Sequence, residues 1–169
     1  MKSKLKFIDL FCGIGGFHQA LTSLGAECVF ASDIDKQCRA TYNINYNLMP
    51  HGDITKVSAQ DIPPHNIICA GFPCQSFSKA GNRKGISDPR GTLFFDIMRI
   101  ATFHNPEYMI LENVRNLAKH DNGNTWKTIH HHVSKNYYVN PEPLIFSPHN
   151  IGIPQFRERV FILCKRKDL

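Results

Sequence analysis

Lys6-Phe7-Ile8-Asp9-Leu10-Phe11, followed at once by Cys12-Gly13-Ile14-Gly15-Gly16 and then by Phe17 to Leu24, reads as a short buried strand, a glycine turn and a helix ending at Gly25. The same cycle recurs downstream. Cys28 to Ala31 is a second strand and Lys36 to Asn45 a helix, and a third, short strand is expected to run into Gly52-Asp53-Ile54. Asn66 to Ala70 forms a fourth, before a long loop, Gly71 to Gly91, rich in Gly, Lys and Arg. Leu93 to Phe103 reads as a helix, Tyr108 to Glu112 as a strand and Trp126 to Lys135 as a helix, with two further strands within Tyr137 to Phe146 and Arg159 to Cys164. Strands alternating with helices specify an α/β fold: a doubly wound, mostly parallel sheet covered on both faces, with ligands at the carboxyl ends of the strands.

At 169 residues the chain is sized for one domain, 1–169, and needs no disulfide or metal to hold a core. Hydrophobic residues at 42% and charged ones at 20% exclude disordered, collagen-like and disulfide-scaffold classes. No apolar run approaches a membrane span and no signal peptide is evident, so a cytoplasmic protein without a membrane partner is expected. Twenty Lys and Arg against fourteen Asp and Glu give +6, a weak pointer to a polyanionic partner. Six cysteines lack any Cys-x-x-Cys pair, which argues against zinc and disulfide frameworks. Three successive histidines, His130 to His132, point in three directions on a helix and cannot converge on one ion, so no metal is expected.

The chemistry-bearing residues fall at strand ends. The turn after the first strand lets backbone approach a ligand closely, although His18 replaces the last glycine of a full Gly-x-Gly-x-x-Gly. Asp33, eighteen residues after Gly15 in Ser32-Asp33-Ile34-Asp35, is placed to take both hydroxyls of a ribose, and Asp53 adds a second acceptor on the same rim. Together they point to an adenosine-containing ligand. Cys74, in Gly71-Phe72-Pro73-Cys74-Gln75-Ser76-Phe77-Ser78, follows the fourth strand behind a proline and is a candidate nucleophile, whereas Cys12, Cys28, Cys38, Cys69 and Cys164 read as packing residues. Glu112 ends the next strand as a candidate proton donor, and Arg157 and Arg159 lie two apart in an extended segment, pointing the same way.

Asp9-Leu10-Phe11-Cys12-Gly13-Ile14-Gly15-Gly16-Phe17, the Pro73-Cys74-Gln75 segment, Arg90-Gly91-Thr92-Leu93-Phe94, Glu112-Asn113-Val114 and Gln155-x-Arg157-x-Arg159 occur in an order and spacing that resembles the C5-cytosine DNA methyltransferases of bacterial restriction-modification systems, from about Lys6 to Lys165. The resemblance implies the Rossmann-like fold of S-adenosylmethionine-dependent methyltransferases. It implies that Phe11, Gly13 and Gly15 cradle S-adenosylmethionine, that Asp33 holds the ribose, and that Asp53 accepts from the adenine amino group. Ile34 and Ile54 would sandwich the base, and Pro73 and Leu93 would line the pocket; family members often carry an aromatic residue at the position of Ile34, so stacking here is weaker. Cytosine would be flipped out of duplex DNA. Cys74 would attack its C6, Glu112 bond N3, and Arg159 hold O2 with support from Arg157. Gln75, Ser78 and Arg90 would contact DNA.

In this family a target-recognition region and further motifs follow the Gln-x-Arg-x-Arg block, and the resemblance stops before them. The chain is therefore expected to be the N-terminal catalytic part, a fragment or a subunit completed by a partner carrying the recognition region, with exposed apolar surface and little activity alone. The alternatives are a non-catalytic assembly or DNA-binding subunit, against which Cys74, Glu112 and Arg159 argue, and an RNA cytosine C5-methyltransferase, which Pro-Cys-Gln followed by Ser-Phe-Ser resembles less.

Overall fold

β1 (Lys6–Leu10) is buried along all but its first residue, as a strand covered on both faces must be, and it lies inside the sheet between β2 (Glu27–Ser32) and β3 (Ile67–Gly71), parallel to both. A computed structural model describes residues 4–73 and 93–169. β4 (Tyr108–Val114) continues the parallel set beside β3. β7 (Arg159–Arg166) then runs antiparallel to β4, and its other edge carries β5 (Tyr137–Val139) and β6 (Leu144–Phe146) in succession. The order β2-β1-β3-β4-β7-β5, with β6 also on β7, is a mixed sheet whose first four strands are parallel, so the doubly wound expectation holds.

One expected strand is absent. The segment before Asp53 contributes only a single bridge, Ser32 to His51, and Asp53 instead caps a 3-10 turn over Ile54–Lys56, its Oδ1 accepting from the Thr55 amide at 3.0 Å and the Thr55 hydroxyl at 2.7 Å. An Asx cap competes successfully with strand pairing here, and the turn it starts buries Ile54.

α1 (Gly16–Ser23) and α2 (Lys36–Tyr46) cover one face; α2 begins at Asp35, whose carboxylate accepts from the Gln37 and Cys38 amides at 2.7 and 2.9 Å. α3 (Leu93–His104) and α4 (Asn124–Val133) cover the other, over a core running from Ile8 and Leu10 through Phe94 and Ile97 to Ile129 and Ile162. His132 packs edge-on against Phe95 and His130 against Trp126, so the histidine run diverges around α4. On the face opposite α3 and α4, the end of the sheet formed by β4, β7, β5 and β6 leaves Tyr108, Val114, Tyr138, Phe146 and Leu163 exposed. No described helix is long and apolar enough to cross a membrane.

Candidate active site

The chain leaves β1 toward β2 on one side and β3 on the other, and the crevice where the strand order reverses is where doubly wound sheets bind ligands. A cavity of about 290 Å³ opens there, near the lower end of the ~300–1,000 Å³ range of small-molecule sites. It is lined by Phe11 after β1, by Ser32, Asp33 and Ile34 after β2, by Gly52, Asp53 and Ile54, by Gly71 and Pro73 after β3, and by Leu93 at the start of α3. Seven of the residues expected around a cofactor thus meet in one pocket. Phe11 reaches it through a left-handed backbone, φ +56°, which costs an L-residue roughly 1–2 kcal/mol and is sustained by the packing around it.

Gly13 and Gly15 shape the turn between Phe11 and α1. Neither is among the pocket-lining residues. The Gly13 amide donates to Asp33 Oδ2 at 2.8 Å, and the Asp35 amide donates to Oδ1 at 2.8 Å, so Asp33 is aimed by both the glycine turn and the start of α2. Gly15, at φ +98°, sits against Tyr46: a Cβ there would lie 2.2 Å from the ring, and the Tyr46 hydroxyl donates to the Gly15 carbonyl at 3.0 Å. Its glycine is required for packing behind the turn.

A second group of side chains adjoins the pocket across Gly71. Glu112 pairs in register with Gly71 on β3 and with Phe161 on β7, and Oε1 of Glu112 lies 2.9 Å from Nε of Arg159. A Cβ on Gly71 would stand 3.3 Å from Oε2 of Glu112, so glycine leaves the carboxylate its room. Burial raises the Glu112 pKa, opposed by Arg159 and Arg157. Arg157 and Arg159 both border a cavity of about 570 Å³ walled by Phe146, Ile151, Ile153 and Phe161. The Arg157 amide donates to Ser147 Oγ at 3.0 Å, which fixes the chain just before β7.

Cys74, Gln75, Ser78 and Arg90 lie outside the described residues. The other five cysteines are free thiols. Burial raises the pKa of each, Cys28 to about 11 and Cys164 to about 12. None is set up as a thiolate nucleophile near neutral pH. Among the described residues no cluster of His, Cys, Asp or Glu could hold a metal ion.

Sequence reasoning missed Asn113, Gly71 and Ser147. Asn113 is 2% exposed and its Nδ2 donates to the Phe72 carbonyl at 2.7 Å, but its place between Glu112 and Val114 carries no periodic signal of that contact.

The chain is 48% identical over 165 residues to the type II methyltransferase M.HhaI of Haemophilus parahaemolyticus, covering 98% of this chain and 50% of the relative. It is 47% identical over 172 residues to M.HpaII of Haemophilus parainfluenzae, covering 99% and 48%. Among solved structures it resembles the Dnmt2 methyltransferase of S. pombe at TM-score 0.75 and 29% identity, over 96% of this chain and 51% of that one. The Entamoeba histolytica methyltransferase EhMeth shares the fold at TM-score 0.76. The chain spans about half the length of the curated relatives it matches. Its sheet has the fold of S-adenosylmethionine-dependent methyltransferases. With residues 5–169 matching the model of the C-5 cytosine-specific DNA methylase family, the chain belongs to that family.

Proposed function

We propose that this chain supplies the cofactor and base chemistry of a DNA cytosine-5 methyltransferase of the restriction-modification type, as the N-terminal catalytic part of a larger enzyme or assembly that also carries target recognition. The observation that carries it is the shared wall at Gly71. On one side is a pocket with carboxylates at Asp33 and Asp53 and aliphatic walls at Ile34 and Ile54; on the other is the Glu112–Arg159 pair. The pocket suits an adenosine group, with hydroxyls to Asp33, the amino group to Asp53 and the base between the two isoleucines. Phe11, Pro73 and Leu93 close its remaining sides. S-adenosylmethionine, when bound, supplies an electrophilic sulfonium methyl group.

The chain's own residues prepare the acceptor. Cytosine is extruded from the duplex because its C6 face is unreachable in the stack. The Cys74 thiolate forms a bond to C6, and the displaced electron pair is delocalised toward C5 and N3. A protonated Glu112 donates a hydrogen bond to N3 and stabilises that charge, a role matched by its burial-raised pKa. Arg159 holds the O2 oxygen and keeps Glu112 oriented, and Arg157 adds positive charge beside them. Once C5 has taken the methyl group, loss of the C5 proton and expulsion of the Cys74 sulfur restore the aromatic ring. Gln75, Ser78 and Arg90 contact DNA around the vacated position.

The test is transfer of a labelled methyl group from S-adenosylmethionine to cytosine-containing duplexes, by the chain together with the second half of a relative such as M.HpaII. Label appearing at C5 of cytosine with the parent and not with Cys74→Ser is expected. Equal transfer by Cys74→Ser, or label on adenine, overturns the reading.

A further inference from the structure

We infer that Asn113 is a positioning residue: its side-chain amide ties the strand carrying Glu112 to the Phe72–Pro73 wall of the cofactor pocket, so that both halves of the site hold one spacing. The inference rests on the functional reading above. Asn113 follows Glu112 on β4, and alternation along the strand sends its side chain to the opposite face, where it is 2% exposed. A buried primary amide lowers stability where its donor and acceptor groups are left without hydrogen bonds. Here Oδ1 accepts from the Val114 amide at 2.9 Å and Nδ2 donates to the Phe72 carbonyl at 2.7 Å.

That second bond lies beyond the reach of the sheet ladder. The registered pairing of β3 and β4 ends at Gly71 with Glu112, so from Phe72 onward the chain is leaving β3. The Asn113 amide extends the cross-link one residue past the last ladder pair. Pro73, the next residue, lines the cofactor pocket, while Glu112, the previous residue on β4, engages Arg159. One short side chain therefore connects the backbone at Pro73 to the backbone at Glu112. An apolar residue of similar size would fill the space but leave a buried carbonyl at Phe72 without this donor, and a carboxylate would face that carbonyl with an acceptor.

The experiment compares the parent chain with Asn113→Asp, Asn113→Ala and a control, Thr125→Val. The control removes a partly buried hydrogen bond, between Thr125 and His120 at 2.7 Å, made by a buried residue of α4 that lines neither cavity of the site. Affinity for S-adenosylhomocysteine is read by calorimetry, thermal stability by scanning, and backbone opening by amide hydrogen exchange. Both Asn113 variants are expected to weaken affinity at least tenfold, with faster exchange at Phe72 and at Glu112 to Val114 and unchanged exchange at Phe7 to Leu10. Thr125→Val should keep affinity within twofold at whatever melting temperature it has. If Asn113→Asp, which keeps the shape and loses the donor, binds like the parent, or if Thr125→Val loses as much affinity as Asn113→Ala, the inference is overturned. A parent chain that binds no S-adenosylhomocysteine counts against the cofactor reading of this chain instead. The exchange experiment then decides the brace by itself: coupled loosening at residues 72 and 112–114 supports it, and unaltered exchange there refutes it.

Discussion

Oε1 of Glu112 and Nε of Arg159 meet at 2.9 Å diagonally across an antiparallel pair, Glu112 facing Phe161 and Arg159 facing Val114 in register. Diagonal neighbours on one face of such a pair are within reach of long side chains, which is why the arginine bonds the carboxylate without bending either strand. Burial pushes the Glu112 carboxyl above its ordinary value and the two arginines pull it down. Arg159→Ala should therefore move the Glu112 titration midpoint still higher, followed by carbon NMR of the labelled carboxyl, with Glu112→Gln identifying the signal. A midpoint that falls on removing Arg159 would mean the pair is not formed in solution. Because the folded carboxyl is raised, its contribution to stability is fully present below the unfolded pKa near 4.5 and is lost as pH climbs through the folded value.

Asp33 is held by two backbone amides, Gly13 and Asp35, and lines the pocket. On the proposed reading Asp33 accepts from the ribose hydroxyls, contacts that are the same before and during methyl transfer and so act on binding rather than on the chemical step. Asp33→Ala should raise the dissociation constant for S-adenosylmethionine at least tenfold, since a hydrogen bond to a charged group contributes roughly 1.5–3 kcal/mol and about 1.4 kcal/mol is a factor of ten. The rate at saturating cofactor should change far less. An unaltered binding isotherm would remove Asp33 from the pocket.

Most of this architecture is legible in the sequence because the signals are local. Phe7, Ile8 and Leu10 put apolar side chains on both faces of the first strand, Gly13 to Gly16 can only be a turn, and Asp33 and Glu112 sit where apolar runs stop. What is illegible depends on distant partners. The packing of Gly15 against Tyr46, thirty-one positions on, has no local signature. Asp53 reads as a strand end, and only its two bonds to Thr55 show that a 3-10 cap wins. The Asn113 amide meets Phe72 across forty-one positions, a relationship no periodicity encodes.

The Gly15 contact yields a stability prediction. With φ at +98° and a Cβ only 2.2 Å from the Tyr46 ring, Gly15→Ala meets both backbone strain and a clash with a ring that stacks 3.9 Å from His18. Destabilisation of about 2–4 kcal/mol is expected in urea unfolding. Pairing it with Tyr46→Ala should restore only part of that loss, because the clash is relieved and the strain at Gly15 remains. Strict additivity of the two substitutions would show that the ring is not what excludes the methyl group.

Thiol chemistry should single out Cys74. Burial raises the pKa of Cys12, Cys28, Cys38, Cys69 and Cys164, and Cys12, Cys69 and Cys164 are also sealed from solvent. Iodoacetamide at about pH 7.5, followed by peptide mass spectrometry, should label Cys74 first, then the half-buried Cys28 and Cys38, and the remaining three only after unfolding. Labelling of Cys38 ahead of Cys74 would count against Cys74 as the activated nucleophile.

Asp9 gives the sharpest pH signature. Its side chain is 0% exposed beneath the glycine turn; Oδ2 receives the Tyr42 hydroxyl at 3.4 Å, and Oδ1 has no partner among the described residues. Desolvation dominates, opposed by the His18 backbone amide, and lifts its pKa to about 8. The folded chain therefore keeps a proton on Asp9 that the unfolded chain releases near pH 4. Between those limits the folded state binds more protons, so stability falls as pH rises, by at most about 1.4 kcal/mol per pH unit for one group. Above about pH 8 the loss is complete. Burial lowers the pKa of His18, His65 and His132, which keeps these three from charging in the fold between about pH 7 and 8, and comparison with Asp9→Asn assigns the slope there to the carboxyl. The amide introduced by Asp9→Asn mimics the protonated carboxyl in shape and charge, so this substitution should flatten the urea midpoint across the window. It should also leave the variant more stable than the parent at about pH 8.5, with the two converging toward pH 5. A parent midpoint that is constant from pH 7 to 8, or an Asp9→Asn chain that is less stable at pH 8.5, would show that Asp9 is ionised inside the fold and paired by a group these contacts do not include.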